Sequence, residues 1–170
     1  ALELSKGQSS EALKVIYTPA DTTDDKTVTW SSADEKIATV KNGVVTAKAT
    51  GTTKITATVG THKAECTVTV NAKLTGIKVT PDKVTVEKGQ KANLNVTYLP
   101  ADTTDEKAVT WKSENESVAT VDENGVVTAV AGGKTKVIAT AKANNKITAV
   151  CEVKVPIHTE SIALNKTEIT

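Results

Sequence analysis

The sequence contains no Phe, no Met and no Arg, and its only aromatic side chains are two Trp and two Tyr. A core must therefore be built from Val, Ile, Leu, Ala and these few rings. No apolar run approaches the roughly 20 residues that cross a bilayer, and no secretory leader is legible. The 21 basic residues, all Lys, are interspersed with 20 acidic ones, leaving a net charge of +1. Such a balance provides no field to gather nucleic acid or an anionic membrane, so neither is expected as a partner. No window holds a helical period. Two Cys and two His are too few, and too scattered, for most nucleophilic or metal chemistry.

What is present is Thr and Val in abundance, the composition of half-buried strands, arranged in a long internal repeat. Tyr17-Thr18-Pro19-Ala20-Asp21-Thr22-Thr23-Asp24 returns 81 residues later as Tyr98-Leu99-Pro100-Ala101-Asp102-Thr103-Thr104-Asp105. Val28-Thr29-Trp30 returns at the same spacing as Val109-Thr110-Trp111. Asn42-Gly43-Val44-Val45-Thr46-Ala47 returns at 82, as Asn124 to Ala129, while Cys66 returns as Cys151 and Ile77 as Ile162 at 85. Small steps in the offset place the insertions in loops between preserved elements, which marks tandem domains of about 80 residues.

In the second copy, period-2 segments predict strands over 75–80, 83–87, 91–98, 107–112, 117–121, 126–130, 134–142 and 147–155. Asn42-Gly43 and Asn124-Gly125 each read as a two-residue hairpin turn, and Asn144-Asn145 as the turn of the last hairpin. Short alternating strands with one Trp per copy predict an all-β fold: two tandem immunoglobulin-like β-sandwich domains plus the first strand of a third repeat. Alternation places Trp30, Trp111, Tyr17, Tyr98, Cys66 and Cys151 in the cores, with the Cys as inert small apolar groups. The order V-T-W-x-S, [IV]-A-T-V, N-G-V-V-T-A, G-x-T-x-[IV]-x-A-T and C-x-V-x-V, present in both copies, resembles the bacterial immunoglobulin-like domain, group 2. That resemblance implies a non-catalytic structural or adhesive spacer of a bacterial cell-surface or secreted protein, extracellular or cell-wall associated. It does not specify a ligand.

The predicted boundaries are 1–71, a domain lacking its first strand; 72–155, a complete domain; and 156–170, a linker with the opening strand of a further repeat. Leu2-Glu3-Leu4 aligns with the second copy only from Lys83 onward, whereas Ser161-Ile162-Ala163-Leu164 aligns with Gly76-Ile77-Lys78-Val79. The chain thus reads as cut from a longer protein, with an acceptor groove at its front and a matching strand at its back. Residues 156 to 161 reach about 20 Å when extended, which disfavours self-filling. Head-to-tail or swapped self-association through 161–170 is the expected alternative, with Ile162, Leu164 and Ile169 entering the groove of a neighbour.

Candidate sites are few. His62 and His158 lack a repeated nucleophile or carboxylate partner, so no catalytic residue is expected, and neither is a cofactor. Asp21, Asp24 and Asp25, matched by Asp102, Asp105 and Glu106, have the hard oxygen ligands that suit calcium. The simpler reading is a solvated turn in which Asp caps its own backbone. A polysaccharide- or host-protein-binding accessory module is the remaining alternative, and the chain offers no spare aromatic for it.

Overall fold

The computed structural model describes residues 1–159 and 161, and every regular element among them is a β-strand. The chain divides into two compact units: Ala1–Thr75 together with Leu99–Glu106, and Gly76–Tyr98 together with the chain from Lys107 onward. The expected cut at 71/72 therefore falls inside the first unit, which also takes one loop of the second repeat.

The first unit contains β1 (Leu2–Ser5), β2 (Ser9–Ala12), β3 (Thr29–Ser32), β4 (Ala38–Lys41), β5 (Val44–Ala47), β6 (Gly51–Val59) and β7 (His62–Asn71). They form two sheets, ordered β1-β7-β6-β3 and β2-β5-β4. Strict alternation in β6 turns Thr53, Ile55 and Ala57 inward and Thr52 and Lys54 outward. Ile55 meets Leu4, Ala38, Val45, Ala47, Val68 and Val70 in one buried cluster. A fully buried Val or Ile here contributes about 1.5–3 kcal/mol relative to exposure.

The second repeat carries β8 (Gly76–Thr80), β9 (Lys83–Thr85), β10 (Lys91–Asn93), β11 (Asn95–Leu99), β12 (Val109–Ser113), β13 (Ala119–Val121), β14 (Val126–Ala129), β15 (Gly133–Ala141) and β16 (Thr148–Val155). Their order is β12-β15-β16-β9, β10-β14-β13 and the pair β11-β8. Ile77 and Val79 of β8 are buried, and β8 lies against β16. The predicted strand 91–98 is in fact two strands in different sheets. They part at Leu94, whose N–H leaves the ladder and donates to the Gly125 carbonyl at 3.0 Å.

Both repeats also contain a feature that alternation does not announce: a parallel pair at one sheet edge. Leu2 and Leu4 align with Val68 and Val70, as Val84 does with Val153. The turns correct another expectation. Asn42 and Gly43 have φ of 51° and 79°, the two-residue turn that joins Lys41 to its partner Val44. The second copy inserts one residue. There Asp122 Oδ1 accepts the Asn124 and Val126 N–H groups at 2.9 Å each, so a longer, carboxylate-capped loop replaces the tight turn. The last hairpin explains the growth of the offset to 85. Val59 pairs with His62 across a two-residue turn, whereas the ladder of β15 and β16 stops at Thr140 and Thr148.

The two repeats differ most where β8 lies. Its partner β11 corresponds to residues 14–18, which form no strand. Leu13, Val59 and Cys66 are half-buried and Ala64 is exposed, while their counterparts Leu94, Ala141 and Cys151 are buried and Ala149 is half-buried. Core placement of Cys66 is thus corrected: the sheet face carrying it has no covering strand among the described residues. Tyr17, Tyr98, Trp30 and Trp111 are half-buried rather than enclosed. Each indole leans on its Asn-Gly turn, and a Cβ built on Gly43 or Gly125 would stand 3.2 or 2.7 Å from Cζ2 of Trp30 or Trp111.

Candidate functional site

The most elaborated polar site is the loop that follows β11. Thr103 is buried, and its Oγ1 donates to the Ala72 carbonyl at 2.8 Å. The Thr104 N–H donates to the same oxygen at 2.8 Å, and the Ala72 N–H donates to Thr104 Oγ1 at 3.2 Å. Asp105 Oδ2 accepts the Leu74 N–H at 2.7 Å, while Asp102 Oδ2 is ion-paired with Lys6 Nζ at 2.7 Å. Ala72 and Leu74 are buried beneath this clamp. Segment 72–75 is not a strand, so its N–H and C=O groups need partners from elsewhere. The loop supplies them, and the expected solvated, self-capped turn is here a clamp on another stretch of chain. The bonds are worth about 0.5–1.5 kcal/mol each, and the half-exposed ion pair less than about 1 kcal/mol.

The matching loop of the first repeat binds itself. Thr22 Oγ1 donates to Asp24 Oδ2 at 3.0 Å, and the Asp24 N–H returns to Thr22 Oγ1 at 3.3 Å. Asp25 Oδ1 accepts the Thr27 hydroxyl at 2.7 Å and its N–H at 2.9 Å. These two bonds, the hydroxyl first, hold the Asp25 carboxyl below its ordinary pKa. Asp21 and Glu106 lie exposed. Among the described residues, no three His, Cys, Asp or Glu side chains come together as a metal-holding group. Asp24, Asp25, Asp102 and Asp105 direct their carboxylates to hydroxyl, backbone and ammonium donors of the chain.

His62 opens β7 in solvent. His158 Nε2 stands 2.7 Å from Glu87 Oε2, both exposed, with no nucleophile in the interaction. Tyr17 donates its hydroxyl to the Lys26 carbonyl at 3.0 Å and carries the Lys26 ammonium 5.5 Å from its ring centre. Tyr98 and Trp111 line an open groove of about 500 Å³, rimmed by Lys107, Glu123, Asn124 and Lys142. Sequence reasoning missed this groove, because alternation assigns each ring an inward direction but does not say how far the two sheets stand apart at that edge. The expected assembly residues Ile162, Leu164 and Ile169 lie outside the described residues.

The sequence pattern of the bacterial Ig-like domain (group 2) matches residues 2–68 and again 73–151. The chain is 37% identical over 126 residues to ice-binding protein 1 of Shewanella frigidimarina, covering 71% of this chain and 14% of that protein. It is also 37% identical over 145 residues to the Ig-like virion protein of Serratia phage KSP90, covering 81% of this chain and 55% of that one. It therefore spans well under two thirds of either relative. Among solved structures, the N-terminal four Ig domains of Dscam1 isoform 7.44 align with a TM-score of 0.53 at 17% identity, over 91% of this chain and 42% of that one. That likeness shows the immunoglobulin-type fold alone.

Proposed function

Because this chain belongs to the bacterial Ig-like domain (group 2) family, we propose that it is a non-catalytic structural module, a folded spacer in the adhesive or surface-exposed part of a bacterial extracellular protein. The observation that carries this reading is the clamp. Thr103, Thr104 and Asp105 bond the backbone of Ala72 and Leu74. These bonds fix segment 72–75 within the first unit, where an unbonded stretch would behave as a flexible coil. Kinship with a virion protein and an ice-binding protein supports a setting outside the cytoplasm. Single-molecule stretching tests the spacer. The chain, held by its ends, should lengthen in two discrete unfolding steps, each releasing on the order of 200 Å for a repeat of about 80 residues. Smooth extension at low force without steps refutes it.

One observation favours a second reading, a polysaccharide-binding accessory module. Tyr98 and Trp111 line a groove rimmed by Lys107, Glu123 and Asn124. Titration with soluble bacterial polysaccharides should then change Trp111 emission in a Trp30→Phe background. An unchanged spectrum up to millimolar ligand eliminates this reading.

A further inference from the structure

The loop of the first repeat has the same residues as the clamp but, among the described residues, not its occupant. Thr22 and Asp24 bond each other, where Thr103 and Asp105 bond the Ala72 carbonyl and the Leu74 N–H. The adjoining sheet face, with Leu13, Val59, Ala64 and Cys66, is less covered than its counterpart under β8. After Val155 the chain repeats the segment that fills both places. At the offset of 85 set by Cys66 and Cys151, Ile157 stands for Ala72, Thr159 for Leu74, Ile162 for Ile77 and Leu164 for Val79. Ala72 is 4% exposed, whereas Ile157 is 81% exposed.

We propose that the Pro19–Asp24 loop and the adjoining open sheet face of one molecule form a docking site for residues 156–165 of a second copy. The contacts would repeat those that the chain already makes in its own clamp and beneath β8. Thr22 Oγ1 turns from Asp24 to the Ile157 carbonyl, and Asp24 accepts the Thr159 N–H. Ile162 and Leu164 then cover the face that holds Cys66. A fourth contact follows from the same equivalence. Gly7 and Gly89 donate to Ala47 and Ala129 in the same way, so Lys88 stands where Lys6 does. Lys6 pairs with Asp102, hence Lys88 of the donor molecule pairs with Asp21 of the acceptor. Lys88 and Asp21 are both exposed. The occupant is thus set by register: an extended segment with a carbonyl and an N–H two residues apart, apolar residues five and seven positions after that carbonyl's residue, and an ammonium from its own domain.

This inference rests on the chain's reading as a structural module and is tested separately from it. Sedimentation velocity at low salt, from micromolar to millimolar, should show the average mass rising above the 17.8 kDa of one chain. Asp21→Lys and Lys88→Glu should each weaken association about three- to tenfold, and the double variant should return to within about twofold of the parent, as expected of a directly paired couple. Removal of residues 160–170 should abolish association. Both substituted positions are exposed, and the variants should keep the parent's circular dichroism spectrum. A mass of 17.8 kDa at every concentration overturns the proposal. So does association that survives the truncation, or charge reversals that add rather than compensate. None of these outcomes touches the two-step stretching expected of the spacer.

Discussion

Val79→Ala is the sharpest test of β8 as the covering strand. Val79 is 2% exposed, and β8 lies against β16, which carries the buried Cys151. Removing two methyl groups forfeits about 1.6 kcal/mol of transfer free energy at about 0.8 kcal/mol per carbon. The cavity left behind brings the loss to about 2–3 kcal/mol. A repeat of about 80 residues has roughly 4–12 kcal/mol in total, so it remains folded but with much of its margin gone. In a Trp30→Phe background Trp111 reports only the second repeat, whose melting midpoint should fall by roughly 10–20 °C. Labelling of Cys151 by a thiol reagent requires opening of the same region, so its rate should rise about 30- to 150-fold, with 1.4 kcal/mol per factor of ten. Cys66, half-buried in the parent, should label at an unchanged rate. If the melt shifts while Cys151 stays as protected as before, β8 is not what shields it, and the account of the open face in the first repeat fails with it.

Ser32 and Ser113 occupy equivalent positions with opposite prospects. Ser32 Oγ donates to the Ala38 carbonyl at 2.7 Å, whereas the buried Ser113 Oγ has no partner among the described residues. Chemical denaturation should show Ser32→Ala losing about 1 kcal/mol and Ser113→Ala gaining stability on the order of 1 kcal/mol. Burial first, then the neighbouring Asp82 and Glu152 charges, raises the Cys151 thiol pKa. The folded state therefore holds that proton more tightly than the unfolded chain, and the associated stability is complete below about pH 8.5 and is lost as pH climbs beyond it. Urea midpoints measured at pH 8 and pH 10 should diverge, and Cys151→Ala should remove most of that divergence. Asp105→Ala deletes the acceptor of the Leu74 N–H. Hydrogen exchange should accelerate roughly tenfold or more at Leu74, with amides in β15 unaffected.

Much of the fold is legible in the amino-acid order, because strands bury one face of period 2 and turns need particular residues. Alternation in Gly133–Ala141 and Thr148–Val155 gives those strands almost to the residue, and Asn42-Gly43 gives the tight turn. The repeat also aligns residues 14–18 with Asn95–Leu99, the strand that pairs with Gly76–Thr80 in the second copy. Alternation cannot show distances between sheets or which chain segment lies over a loop. Only tertiary structure decided that Trp111 and Tyr98 reach a groove, that Cys66 and Cys151 differ in cover, and that Leu94 turns a corner between sheets. It also decided the role of Pro100–Asp105. Identical Thr and Asp side chains satisfy one another in the first repeat and hold Ala72 and Leu74 in the second, since hydrogen-bonding groups take whichever donor or acceptor the packed chain brings within 3 Å.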